Sequence, residues 1–242
     1  VNIIENKKNN NLTPILLLHE GLGSIKMWKD WPKYLSEKTK RDVLLYSRIG
    51  MGSSSPISKP RNIDYMHYEA KTVLPWVIKK LSIVPPIILG HSDGASIGII
   101  YSGSKFPCKA LILQSPHVFV EKITIKSIKN IKKKWENSNL REKLKKYHKD
   151  VDGAFNGWCN VWLSKQFITW NIEEYLPNIV VPSLLIQGKN DQYGTIKQIN
   201  KIKSMLTYSA KKFLLDNCYH NPHLEYPDKV CHKIKKFLLF ID

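Results

Sequence analysis

Cysteine, arginine and long apolar runs are all scarce in this chain of 242 residues. Four cysteines (Cys108, Cys159, Cys218 and Cys231) lie far apart, with no CxxC pair and no metal-ligand spacing. That excludes a disulfide-stapled scaffold and a zinc module, and points to free thiols in a reducing compartment. No run approaches the roughly 18 apolar residues that a membrane-spanning helix needs. No charged-then-apolar secretory leader opens the sequence, so a cytoplasmic location is expected. Arg41, Arg48, Arg61 and Arg141 are the only arginines among 38 basic residues. Nucleic-acid and phosphate recognition leans on arginine, so neither is expected here.

Positive charge, by contrast, is abundant. The formal net charge is +18, an unusual balance for a metabolic enzyme. Eleven lysines and arginines fall between Lys122 and Lys149, against only Glu136 and Glu142. Two readings stand side by side: a solvated helical face in a lysine-biased sequence, or a docking surface for an acidic partner.

Apolar β-type runs alternate with helical patterns along the chain. Strands are expected at 15–19, 43–47, 86–89, 110–115, 183–187 and 213–215. Helices are expected at 28–38, 65–81, 95–101, 196–206 and 228–240. A loop rich in Gly, Ser and Pro covers 48–60. Strands interleaved with helices predict a mostly parallel sheet flanked by helices, an α/β architecture. The alternation breaks between His117 and Pro177, where the pattern is helical throughout. Phe155, Trp158, Cys159 and Trp162 fall there at helical spacing. This segment reads as a helical cap inserted between two strands, over a core formed by 1–116 and 178–242. The aromatic stripe is either plain packing between cap and body or the wall of a pocket. Trp28, Trp158 and Trp162, with Gly21, are the expected substrate-contacting residues.

The sharpest motif is Gly90-His91-Ser92-Asp93-Gly94, placed between an apolar run and a helix-competent one. A serine two residues from a glycine on each side, at a strand-to-helix turn, forms a nucleophile elbow. Its backbone is strained, and small neighbours let strand and helix approach. A nucleophilic serine needs a base, an orienting acid and donors for an oxyanion, all supplied by loops at strand ends. Downstream, the loop Gly188-Lys189-Asn190-Asp191 offers Asp191, and the loop 216–223 offers His220. His223 is a rival base, while Asp216 and Glu121 are rival acids. The oxyanion donors are expected from the Asp93 backbone N–H and from the His19-Glu20-Gly21-Leu22 loop, at Leu22 or at Gly21.

Together these residues resemble the α/β-hydrolase superfamily over nearly the whole chain. The resemblance rests on His19-Glu20-Gly21, the segment from Tyr46 to Ser53, the elbow, Gly188 to Asp191, and His220. More narrowly, Ser115 to Glu121, Trp170-Asn171-Ile172 and Asp191 to Thr195 resemble a group of small bacterial esterases. That group is related to the pimeloyl-[acyl carrier protein] methyl ester esterases of biotin synthesis. The resemblance implies ester hydrolysis by Ser92, His220 and Asp191 with no metal or organic cofactor. It also implies an acidic acyl carrier protein as a candidate partner for the basic segment. Other superfamily members are enol-lactonases, C–C bond hydrolases or ligand receptors, and these stay as alternatives. Two features depart from the pattern. The oxyanion loop reads His-Glu-Gly where His-Gly is commoner, and the usual N-terminal hairpin is barely represented in Val1 to Leu12.

Overall fold

A computed structural model describes residues 1–6, 11–58 and 60–241. Seven strands form one sheet: β1 (Asn2–Ile4), β2 (Ile15–Leu18), β3 (Val43–Leu45), β4 (Ile87–His91), β5 (Ala110–Gln114), β6 (Ser183–Gly188) and β7 (Ala210–Leu215). Their order across the sheet is β1-β3-β2-β4-β5-β6-β7. Every pairing is parallel except β1 with β3, where Asn2 lies opposite Leu45 and Ile4 opposite Val43. In the segment Val1 to Leu12, where the sequence barely represents the usual hairpin, β1 is the strand among the described residues; residues 7–10 lie outside them.

The strands read as unbroken apolar runs because both faces are covered. Alternate residues serve opposite layers. Leu16, Leu18, Leu44, Ile88, Leu111, Leu113 and Leu185 face one core. Ile15, Leu17, Val43, Leu45, Ile87, Leu89, Ala110, Ile112, Leu184 and Ile186 face the other. Helices α1 (Trp31–Thr39) and α10 (Pro227–Leu238) bury Leu35, Val230 and Ile234 in the second core. The first core is closed by α2 (Tyr65–Tyr68), α3 (Leu74–Lys80), α4 (Asp93–Gly103) and α8 (Ile196–Met205). Helix α4 is buried along its whole length, and most of its residues are glycine, alanine, serine or isoleucine, as a helix enclosed on all sides requires. A short α9 (Pro222–Glu225), which the sequence pattern did not show, turns the chain into α10.

The helix expected over 65–81 forms, but with a π-helical stretch at Glu69–Val73 between α2 and α3. Pro75 supplies the reason, since its ring has no N–H and clashes with a carbonyl one turn back in regular α-geometry. Between β5 and β6 the chain is helical: α5 (Lys122–Asn137), α6 (Leu140–Lys145) and α7 (Val151–Trp162), then two 3-10 turns. Two backbone contacts pinch the foot of this segment. Phe119 bridges Asn171, and the Ile172 amide donates to Val118 O at 2.8 Å. All four cysteines are free and buried. Among the described residues, no helix is long and apolar enough to cross a membrane.

Strand order reverses beside β2: the chain moves outward to β3, then returns to place β4 on the other side. The carboxyl ends of β2 and β4 therefore diverge into a crevice, where open parallel sheets bind ligands. The loop after β2 carries Gly21 and Leu22, and the turn after β4 carries Ser92.

Candidate active site

Ser92 sits at φ 53° and ψ −119°, in the left-handed region that non-glycine residues avoid. Its neighbours show why the pattern needs glycine. A Cβ on Gly90 would lie 2.3 Å from Gly94 O, and one on Gly94 would lie 2.0 Å from Leu18 O. Strand and helix thus approach closely enough to drive the serine into strain, which aims its side chain at a cavity. Asp93 opens α4, so its N–H is among the first-turn donors with no partner inside the helix.

Asp191 and His220, brought from the ends of β6 and β7, meet directly. His220 Nδ1 lies 2.8 and 2.9 Å from the two Asp191 carboxylate oxygens. Asp191 also accepts from Gln187 Nε2 at 2.9 Å and from the Tyr193 amide at 2.8 Å. Burial alone raises this carboxyl, but the charge and hydrogen bond of His220, with the Tyr193 amide, override it and hold its pKa below the ordinary value. His220 shows the complementary balance: burial opposes its protonation, Asp191 outweighs burial, and its pKa lies above the usual histidine range. The ring's position is fixed from behind, because the His220 carbonyl accepts from His91 Nε2 at 2.8 Å and Ser115 Oγ at 3.0 Å.

Ser92, Asp93 and His220 open together onto a cavity of about 190 Å³. Gly21 and Leu22 form its floor, and Thr124, Ile128 and Ile131 of α5 with Trp158 and Trp162 of α7 form its roof. Ser92 Oγ is not hydrogen-bonded to the His220 ring here, although both line this space; such bonds commonly tighten when substrate is bound. Gly21 admits no side chain, since a Cβ would fall 2.3 Å from Trp158 Nε1 and 2.8 Å from Asp93 Oδ2.

The rival residues have other work. His223 Nδ1 bonds Gln114 Oε1 at 3.1 Å, and its ring is buried against Trp28 and Trp31, away from the cavity. Asp216 pairs with Lys189 at the surface, at 2.6 Å. Glu121 holds the start of α8 by accepting from the Thr195 amide and hydroxyl and from Gln198. Trp28 departs from expectation. It closes a 3-10 turn (Ile25–Trp28) and points into the second core beside His91 and His223, leaving Met27 to face the cavity.

A model of the α/β hydrolase fold family matches residues 13–169. The chain belongs to the α/β-hydrolase family. A proline iminopeptidase of Lactobacillus delbrueckii subsp. lactis is 32% identical to this chain over 104 residues. The match takes in 42% of the present chain and 35% of the relative, so about a third of the relative's length is spanned. Among solved structures, an esterase from Exiguobacterium antarcticum superposes with a TM-score of 0.77 at 17% identity, covering 98% of this chain and 94% of that one. The enol-lactonase from Burkholderia xenovorans LB400 gives 0.74 at 19% identity, covering 98% and 95%. At such identities the likeness is one of fold.

Several residues support the site through contacts that the sequence reading did not assign. Arg48 clamps the loop after β2, donating from Nη1 to His19 O and from Nη2 to Glu20 O, each at 2.6 Å. The His19 ring braces the same loop, with Nδ1 on Glu20 O at 2.7 Å and Nε2 accepting the Arg48 amide at 3.1 Å. The Asp93 carboxylate accepts from Tyr65 Oη, which in turn accepts from Trp162 Nε1 at 3.2 Å. Burial raises the Asp93 carboxyl above the usual aspartate value. His117 lines the cavity beside His220, and burial brings its pKa down to about 3, so it stays neutral. Among the described residues no group of His, Cys, Asp or Glu is arranged to hold a metal ion.

Proposed function

We propose that this protein is a serine hydrolase that cleaves carboxylic esters through an acyl-enzyme, with Ser92 as nucleophile, His220 as base and Asp191 as orienting acid. The observation that carries the reading is the Asp191–His220 pair opening onto the same cavity as a strained, glycine-flanked serine. His220 takes the Ser92 proton as the hydroxyl attacks the ester carbonyl. The developing oxyanion is received by the Asp93 N–H and by an N–H of Leu22 or Gly21, held in place by Arg48. His220 then returns the proton to the leaving alcohol, and later activates the water that frees the acyl group. Asp191 fixes Nδ1–H, which leaves Nε2 as the working nitrogen.

The cavity walls favour an acyl chain of mainly apolar character. We assign residues 117–177 the part of a cap, because α5 and α7 roof the cavity. The outer side of α5 exposes Lys122, Lys126, Lys129 and Lys133. This supports a substrate presented by an acidic carrier protein, a pimeloyl-[acyl carrier protein] methyl ester being the specific candidate, with lysines steering the encounter.

A fluorophosphonate probe tests the chemistry: wild type labels at Ser92 and Ser92→Ala does not. Absence of labelling in wild type would leave a ligand-binding member of the family as the better reading. Mass spectrometry after exposure to a mixed panel of esters, enol-lactones and dienone acids identifies the retained acyl group. Turnover confined to the lactones or dienone acids would move the assignment to lactone or C–C bond cleavage by the same three residues.

A further inference from the structure

Beneath the proposed nucleophile lies a second acid–histidine pair that the triad does not use. His91 is fully buried and immediately precedes Ser92. Its Nε2 sits 2.8 Å from the His220 carbonyl, a group that only accepts, so Nε2 carries a proton. Its Nδ1 is buried 3.5 Å from Glu20 Oε2 and has no other polar partner. A bare Nδ1 would set a lone pair against a carboxylate in a site closed to water, whereas a proton there converts repulsion into an ion pair.

We propose that His91 is held as a doubly protonated imidazolium by Glu20, and that this pair is a positioning brace joining the oxyanion loop, the nucleophile strand and the catalytic-histidine loop. The role of the brace rests on the serine-hydrolase reading; the charge state does not. One carboxylate, one ring and one carbonyl thereby link three segments that are far apart in sequence. The charge on His91 strengthens its bond to the His220 carbonyl, since charge-assisted hydrogen bonds are shorter and stronger than neutral ones. Pairing also neutralises Glu20. An uncompensated carboxylate at the cavity edge would oppose the oxyanion formed two residues away.

The surroundings agree with this assignment. The ring meets His220 at a centroid distance of 5.1 Å, His223 at 4.9 Å and Trp28 at 6.2 Å. Burial keeps His223 and His117 neutral, with pKa values well below the ordinary one for His223 and about 3 for His117. Of the titratable groups packed against the ring from neighbouring loops and helices, Glu20 is therefore the anion that faces Nδ1. Burial works to raise the Glu20 carboxyl, and the hydrogen bond and charge of His91 override it, leaving its pKa well below the usual carboxylate range.

Nitrogen-15 NMR of the full chain labelled at histidine tests the charge state, with the His91 signal assigned by its loss in His91→Gln. In wild type, both His91 nitrogens show imidazolium shifts at pH 7. In Glu20→Gln at the same pH the Nδ1 proton is absent, and the ring shows the neutral Nε2–H pattern. In the same variant, kcat falls by about 10- to 100-fold with KM little changed, the scale of a small misplacement of catalytic groups. Its pH–rate profile gains a second ionisation, which a purely structural loss would not create. A neutral Nε2–H tautomer in wild type at pH 7, or an unchanged His91 titration in Glu20→Gln, overturns the proposal. The wild-type spectrum decides the charge state even if the variant fails to fold. It also reads the pair independently of catalysis, so a failure to label with fluorophosphonate would remove the brace's role and leave the ion pair standing.

Discussion

At the residue scale the site depends on two kinds of position, those that carry chemistry and those that must carry nothing. Gly94 belongs to the second kind. A methyl group there would sit 2.0 Å from Leu18 O, a backbone atom that cannot rotate away. Gly94→Ala is expected to destabilise the fold by at least about 3 kcal/mol, read from the denaturant midpoint. Gly98, one turn along the same helix, is the control: its added methyl would meet Ile88 Cγ2 at 3.3 Å, a contact that a side chain can relieve. Gly98→Ala should fall within about 1 kcal/mol of wild type, the helix propensity of alanine offsetting the tight contact.

His220 supplies a pH dependence with a definite sign. As the proposed base His220 would work only when neutral, and Asp191 raises its pKa, so the acid limb of kcat/KM should lie above the ordinary histidine value of about 6.5. Asp191→Asn removes the charge that raises it and misorients the ring. The limb should then move to lower pH while kcat falls by about 10⁴-fold. A limb that stays in place in Asp191→Asn would assign that ionisation to another group.

At the scale of elements, the helical segment between β5 and β6 is tied to the loop after β3 by His148. Its Nδ1 accepts the Gly52 amide at 3.0 Å, and the Lys149 amide donates to Gly52 O at 2.7 Å. Burial lowers the His148 pKa, so the folded form disfavours the proton that would block this acceptor. As pH falls below about 6.5 the unfolded or detached form takes up the proton first, and the tie weakens until the folded value is passed. Hydrogen exchange at the Gly52 amide should accelerate over that interval relative to amides of β4, and His148→Gln should abolish the acceleration.

The elements were legible wherever a local pattern determined them. Strands β2 to β6 announced themselves as apolar runs because they are buried on both faces, and the elbow because its glycines are steric necessities. Asp191 and His220 stood out as polar residues at successive strand ends. Trp28 was misplaced because a single 3-10 turn decides which of two adjacent large residues faces the cavity, and periodicity does not reach that far. β1 escaped because two of its three residues are exposed and show no alternation. The clamp by Arg48 and the Glu20–His91 pair join positions 28 and 71 residues apart, and no spacing rule connects them. What remained hidden was the support of the site; the groups proposed to react were visible as candidates.

For the molecule as a whole, the charge is distributed so that one helix serves two purposes. The inner face of α5 buries Thr124 and Ile128 and walls the cavity, while its outer face carries lysines into solvent. Paired acids are scarce there: Glu142 meets Arg141 and Lys145, and Asp152 meets Arg141. Residues 122–149 carry eleven basic side chains against two acidic ones, half of the net charge of +18, so the positive field is strongest along this segment. A field of this kind speeds encounter with an acidic macromolecule and leaves a small neutral ester untouched. Salt separates the two, because the Debye length shrinks from about 10 Å at 0.1 M to about 3 Å at 1 M. Hydrolysis of an ester borne by an acidic carrier should fall by at least about tenfold in kcat/KM over that range, as electrostatically steered association does. Hydrolysis of a p-nitrophenyl ester should change little. Changing Lys122, Lys126, Lys129 and Lys133 together to glutamine should reproduce the high-salt rate on the carrier substrate without altering the small-ester rate. Equal salt sensitivity for both substrates would detach the lysine face from catalysis and leave it as a solvated surface.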